Sequence, residues 1–299
     1  MPINLNHEMI YQVKKGESFN LLVDDLKTKR ILKNPLVMKI YGRIIGETTS
    51  IQAGEYLLDP SLNVYKLTFK FTEGDVFYRQ VRIREGIQFK TLIKELKVND
   101  HLLNDINGKS IKEIINLLEI NFHSLEGLFF PDTYFFSKGD SISNLLLRAY
   151  KKQQLVVNYE WDRRTTNLPF KSPYEALILA SIIEKEGQEK NEISGVFIRR
   201  LNKRMKLQAD PTVIFALGES YDGNIKKSHL RMEHPYNTYS IEGLPPGPIG
   251  LSSKESLRAA LNPKEGTSLY FVAKGDGSHY FSDTLEEHLK AVRRYQLDL

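Results

Sequence analysis

The sequence predicts an α+β fold in two parts, a small unit over residues 1–75 and a larger mixed α+β domain over residues 76–299. Three observations predict it. Apolar residues recur at helical spacing in several windows, most clearly from Ser141 to Trp161. Short runs rich in β-branched and aromatic residues, such as Ile10–Val13 and Leu269–Ala273, lie among them. The turn Thr72-Glu-Gly-Asp75 divides the chain into two such sets.

Taken in order, Ile10-Tyr-Gln-Val13 is a strand stopped by Lys15-Gly16. Ser18 caps a helix with Leu21, Leu22 and Leu26 on one face. Asn34-Pro35 opens a helix through Met38, Ile40 and Tyr41, since proline suits a first helical turn. Ala53–Leu57 reads as a returning strand. Ser61 starts a helix carrying Leu62, Tyr65, Leu67 and Phe69. Beyond the turn, Val76–Arg84 alternates Val81 and Ile83 against Arg82 and Arg84, as a half-exposed strand does. A helix follows over Phe89–Leu96, and residues 101–123 read as mainly helical. The Ser141–Trp161 helix carries Leu145, Leu146, Ala149, Leu155 and Val156 as its apolar stripe. Helices through Ser172–Glu186 and Val196–Leu201 come next. A long stretch rich in Gly, Pro, Tyr and Asn then runs to Ile249, as functional loops do. Ser253–Leu261 is a helix. Leu269–Ala273 and His279–Phe281 pair around Gly275-Asp-Gly277, and residues 283–296 form a last helix.

Composition excludes some chemistry. There is no cysteine, so disulfides, thiol nucleophiles and zinc–thiolate sites are out. The net charge of +5 is compatible with an anionic polymer or surface but selects neither. No apolar run approaches the roughly 18 residues of a membrane span. The opening Met1-Pro-Ile-Asn-Leu-Asn6 has no leader-like pattern. The histidines show no metal-ligand spacing, and no phosphate-binding glycine loop or nucleophile elbow is present, so neither metal nor cofactor is expected.

The helix from Ser172 carries the most chemistry. Ser172 and Glu175 fit a capping box and Pro173 the first helical position. Steps of four from Ala176 reach Ala180 and Glu184, so Glu184 continues a stripe of small side chains. Glu186 lies about 200° further round, and the two acids cannot share one small site. Glu186 has Lys190 four residues on, a favourable pair, whereas Glu184 has Gln188. An unpaired acid beside apolar surface suits a general acid, because desolvation raises a carboxyl pKa. Glu184 is therefore the candidate acid and Glu186 a structural or solvated one; two solvated charges at a helix end are the alternative.

Gln208, Asp210 and Thr212 alternate, as side chains lining one side of an extended segment would; Asp210-Pro211 also fits a turn. Asn237 and Thr238 between Tyr236 and Tyr239 offer hydrogen bonds beside aromatic faces, a sugar-binding pattern that core tyrosines also produce. Arg199, Arg200, Lys203, Arg204 and Lys206 form a basic run, read as a solvated face with an anionic polymer or lipid surface as the sharper alternative.

With these motifs in view, the chain resembles the endolytic murein transglycosylases of the MltG/YceG-like family. The match is carried in order by Glu126-Gly-Leu-Phe-Phe-Pro-Asp-Thr-Tyr134, Ala180-Ser-Ile-Ile-Glu-Lys-Glu186, Val196-Phe-Ile-Arg-Arg-Leu201 and Met205-Lys-Leu-Gln-Ala-Asp-Pro-Thr-Val213. It continues through Tyr236-Asn-Thr-Tyr239, Gly243-Leu-Pro-Pro-Gly247 and Leu269–Ala273 with His279. Arg199 stands where the family usually has Asn, and Phe215 where it often has Tyr.

The resemblance implies a LysM-like subdomain over residues 1–75 and a YceG-like catalytic domain over 76–299. It implies a catalytic glutamate at the first acid of Glu-Lys-Glu, which is Glu184. Gln208, Asp210, Thr212, Tyr236, Asn237 and Thr238 become candidates for holding a glycan. The implied substrate is the peptidoglycan glycan strand, with peptidoglycan synthases as candidate partners and no nucleic acid. The implied location is the inner membrane, by an N-terminal single-pass anchor, with the catalytic domain in the periplasm. The implied reaction cleaves the MurNAc–GlcNAc bond within strands and leaves a 1,6-anhydroMurNAc end, which would terminate strand elongation. One acid suffices, donating to the glycosidic oxygen and then taking the C6 hydroxyl proton, whereas ordinary glycosidases need two carboxylates. A lysozyme-like hydrolase with Asp210 as second carboxylate, and a non-catalytic peptidoglycan binder, are the alternatives.

Overall fold

The structure, a computed structural model, describes residues 1–45 and 51–296, which fold as two compact units of mixed helix and strand. The first comprises Met1–Val81 with Asp100–Leu103 and Tyr134–Ser141; the second comprises Arg82–Asn99, Asn104–Thr133 and Ile142–Leu299.

In the first unit β1 (Met9–Val13) leads to α1 (Phe19–Thr28), α2 (Pro35–Ile44), β2 (Gly54–Leu58) and α3 (Val64–Thr72). β1 and β2 pair antiparallel, Met9 opposite Leu58 and Val13 opposite Gly54. Ser18 and Asn34 cap α1 and α2 through their side chains, as expected. The third helix starts later than expected. Asn63, not Ser61, caps α3 by accepting from the Lys66 N–H at 2.9 Å, while Asp59 holds the Ser61 N–H at 2.6 Å in the preceding turn. The core holds Tyr11, Leu22, Leu26, Met38, Tyr56, Leu67 and Phe71, with the Tyr56 and Phe71 rings edge-to-face at 4.8 Å. Leu21, Ile40, Tyr65 and Phe69 are exposed instead.

A second two-stranded sheet joins β3 (Arg79–Arg82) to β4 (Thr133–Phe136), so the predicted strand over 76–84 shortens and the end of the turn-rich segment proves extended. After α4 (Phe89–Lys97), residues 101–123 yield only α5 (Ile111–Leu117). Gly108, at φ +72°, breaks the run, and a Ser110–Glu113 capping box starts the helix afresh.

The larger unit is built around two long helices, α6 (Ile142–Asp162) and α7 (Pro173–Glu186). The buried line of α6 runs through Leu145, Leu146, Ala149, Gln153, Val157 and Glu160, whereas Leu155 is 72% exposed, off the expected stripe. α7 is apolar on every side, and Ala176 to Ile183 are all buried, which makes it the central helix. Ser172 accepts from the Glu175 N–H at 3.4 Å, Pro173 occupies the first turn, and Glu175 itself accepts from the Lys171 N–H at 2.6 Å. Ser172→Ala should therefore cost about 1 kcal/mol by denaturant unfolding, the usual value of an N-cap.

α8 (Lys190–Asn202), α9 (Asp210–Leu217), α10 (Lys227–Leu230) and α11 (Lys254–Leu261) follow. α11 packs on α7, α8 and α6. β5 (Tyr270–Ala273) and β6 (His279–Ser282) form the expected hairpin, Tyr270 opposite Ser282, and α12 (Leu285–Gln296) packs against it. Among the described residues no helix is long and apolar enough to cross a membrane.

Candidate active site

The two acids at the end of α7 do point apart, and residues far along the chain set the environment of each. α7 packs on α11. At its end the Glu184 carboxylate accepts from the Ser253 N–H at 2.8 Å, the Ser253 hydroxyl, the Ser256 hydroxyl at 2.6 Å and Lys190 Nζ at 3.1 Å. Ser253 is the N-cap of α11, so the charge also lies at a helix N-terminus, where anions are favoured. Burial alone would raise this carboxyl. The two serine hydroxyls, the Ser253 amide and the Lys190 ammonium together hold it below the usual glutamate range. Glu184 is an ionised clamp between α7 and α11, a poor proton donor at neutral pH.

Glu186 has the opposite character. α7 stops at Gly187, whose φ of 165° is extended. The helical i+4 geometry therefore does not continue to Lys190, which pairs with Glu184 instead. Glu186 is half-buried in a cavity of about 490 Å³. Arg200, Gln208, Asp210, Tyr239 and His279 line it together with β5 and one face of α12. Burial, and after it the Asp210 charge, pushes the Glu186 carboxyl up to about 8, against the pull of Arg200. This is the environment expected of Glu184, found at its neighbour.

Arg200 organises one wall. Its Nε donates to the Leu269 carbonyl at 2.6 Å, and its Nη1 to the Leu207 carbonyl at 2.8 Å and to Gln208 Oε1 at 3.3 Å. Arg199 Nε donates to the Ser268 carbonyl at 2.7 Å. Two of the five basic residues are thus tied to backbone rather than forming a solvated face.

The six glycan-holding candidates divide. Gln208, at φ +52°, and Asp210 reach the cavity. Asp210 is the first residue of α9, not part of an extended run, and accepts from the Tyr239 hydroxyl at 2.6 Å. Thr212, Asn237 and Thr238 are fully buried. The Thr212 and Thr238 hydroxyls lie 2.9 Å apart, and the Ala209 N–H donates to the latter at 2.9 Å. Asn237 Nδ2 donates to the His229, Leu230 and Met232 carbonyls, and its Oδ1 accepts from the Tyr239 N–H at 3.0 Å. These three side chains shape the loop from inside and have nothing left for a ligand. Tyr236 packs on Phe215 at 4.7 Å, away from the cavity, and Tyr239 takes the place expected of it.

Sequence signals favour Glu184 over Glu186 and single out no cavity role for Arg200, Tyr239 or His279. The available signal was Gly187, which ends the helix before the presumed Glu186–Lys190 pair can form. The Glu126 motif serves the fold: the Phe89 N–H at the start of α4 donates to Glu126 Oε1 at 3.0 Å and Oε2 at 3.1 Å. Gly127, at φ +76°, abuts Pro248 so closely that a Cβ would stand 2.3 Å from its ring. Among the described residues no cluster of three or more potential metal ligands occurs.

Known proteins resemble this chain over nearly its whole length. Residues 11–294 match the model of the YceG-like family. An endolytic murein transglycosylase of Bacillus subtilis is 32% identical over 95% of this chain and 83% of its own length. One of Streptococcus pneumoniae is 31% identical over 99% of this chain, which spans 60% of that longer protein. A crystal structure of a putative yceG-like protein from Listeria monocytogenes superposes with a TM-score of 0.59 at 30% identity, covering 95% of this chain and 99% of that one.

Proposed function

Since the chain belongs to the YceG-like family, we propose that it is an endolytic peptidoglycan transglycosylase whose acid is Glu186. The observation that carries the assignment is the pair of opposite environments at the end of α7. Glu184 is held as a carboxylate by four donors, and Glu186 sits in the cavity with its carboxyl raised to about 8. A group with that pKa stays protonated at neutral pH and is still acidic enough to give the proton up. Glu186 donates to the glycosidic oxygen between MurNAc and GlcNAc, and the C1–O bond breaks. The C6 hydroxyl closes onto C1, its proton leaves, and no water is consumed. The Glu186 carboxylate left behind must regain a proton before the next cycle. Gln208, Asp210 and Tyr239 are the polar groups available to hold the sugars.

Asp210 has a second role, since its charge helps to keep Glu186 protonated. In Asp210→Asn the alkaline limb of the pH–rate profile should move to lower pH, because Glu186 then ionises earlier. An unmoved limb would remove Asp210 from the account.

The finer assignments follow from the same reading. The order β1–α1–α2–β2 with antiparallel strands supports a LysM-like N-terminal part and a catalytic domain after it. Cuts inside nascent strands would limit their elongation, with the synthases as partners and the enzyme anchored at the membrane, facing the wall.

Asp210 also supports a second reading, a two-carboxylate hydrolase, because it shares the cavity with Glu186. Digestion of purified peptidoglycan and mass analysis of the products separates them. Anhydro ends, one water lighter, support the transglycosylase. Reducing ends make it a hydrolase, and the absence of new ends makes it a binder.

A further inference from the structure

Glu186 is not the only proton-handling group in the cavity. His279, the first residue of β6, lines the same space, and its side chain is 8% exposed. Its backbone N–H donates to Glu189 Oε2 at 2.7 Å, and its ring Nδ1 lies 2.8 Å from the same oxygen. An ionised carboxylate only accepts, so Nδ1 carries the hydrogen and Nε2 is left with a lone pair. Among the described residues Nε2 has no hydrogen-bond partner. Glu189 is the N-cap residue of α8 but caps nothing with its side chain, which is given over to His279.

The ring is also held against the end of the acid's own helix. Gly187 follows Glu186 directly, and a Cβ there would stand 2.7 Å from His279 Cε1. The backbone at Gly187 is extended, which any residue adopts, so the glycine supplies space for the imidazole rather than an unusual conformation.

The geometry points to His279 as a second proton-transfer residue of this cavity, its Nε2 accepting the proton of the attacking sugar hydroxyl while Glu189 holds the ring and balances its charge. The inference rests on the transglycosylase reading above. In that reaction Glu186 gives its proton to the leaving oxygen, the C6 oxygen bonds to C1, and the C6 proton passes to Nε2. The imidazolium then loses that proton to water, and Glu186 takes one back, so the cycle closes with no net proton. The titratable and charged groups around the imidazole are Glu189 ahead of α8, Glu186 ending α7, Arg200 on α8, Asp210 on α9 and His288 on α12, with Tyr239 and Tyr270 as the nearby phenols.

The test is the pH profile of anhydro-end formation from purified peptidoglycan by wild type, His279→Gln, His279→Ala and Glu189→Gln, each first checked for unchanged thermal unfolding. His279→Gln is expected to lose about 100-fold in rate together with the acidic limb of the profile, the usual scale for a general base. Added imidazole is expected to restore part of the rate to His279→Ala. In Glu189→Gln, which keeps an acceptor but removes the charge, the acidic limb should move to lower pH. A His279→Gln enzyme with the wild-type rate and limb overturns the proposal. So does a slowed variant that keeps the acidic limb and ignores imidazole, since that describes a merely structural histidine. If wild type itself forms no anhydro ends, the transglycosylase reading has failed; if it does, a negative result at His279 counts against the histidine alone.

Discussion

Glu186→Gln is expected to form anhydro ends about 1,000-fold more slowly than wild type at every pH, the middle of the usual range for loss of a general acid. Its stability should move the other way. In the folded protein the carboxyl titrates at about 8, far above the roughly 4.3 of an unfolded chain. The folded state therefore binds more protons between those values, and the wild type loses stability as pH rises through that window. Glutamine cannot ionise, so the variant should melt above wild type at pH 8 and show no such gain at pH 4. Loss of activity with a gain in alkaline stability is hard to produce by damage to the fold. Retained activity would return the acid to another residue.

Glu184→Ala should behave as the counterpart. It removes the acceptor of the Ser253 and Ser256 donors and leaves Lys190 half-buried without its counter-charge at the start of α11. Breaking one side of such a network costs about 3 kcal/mol, equivalent to a melting point roughly 6–12 °C lower for a unit of this size. The sign with pH is the reverse of that at Glu186. The folded pKa is depressed, so the stabilisation is complete above the usual glutamate value and lost as pH falls through the lower folded one. Differential scanning calorimetry should show the gap between wild type and Glu184→Ala closing in acid. At a temperature where the variant is folded, anhydro ends should still form. Their complete loss there would restore Glu184 as the acid.

Much of the scaffold was legible because its signals are local. Ser172 and Pro173 announce α7, Gly275 to Gly277 announces the β5–β6 turn, and the helical period correctly set Glu184 and Glu186 on different faces. What each face meets was not legible. The serine partners of Glu184 come from the start of α11, 69 and 72 residues on, and the charge that raises Glu186 comes from α9. A rule for pairs four apart on one helix chose between the acids wrongly in environment, because the helix ends at Gly187. Asn237 and Thr238 misled for a related reason. Polar residues between aromatics look alike whether they face a sugar or, as here, the carbonyls and hydroxyls of their own loop.

Glu186 is also the last residue of α7. The peptide dipoles of a helix sum to a partial negative charge at its C-terminal end, which disfavours a carboxylate by about 0.3–1 kcal/mol. The backbone thus adds its own bias toward the protonated acid, independent of every side chain in the cavity. Substitutions around Glu186 can retune the pH at which it yields its proton, but while it terminates α7 a residue of that elevation remains.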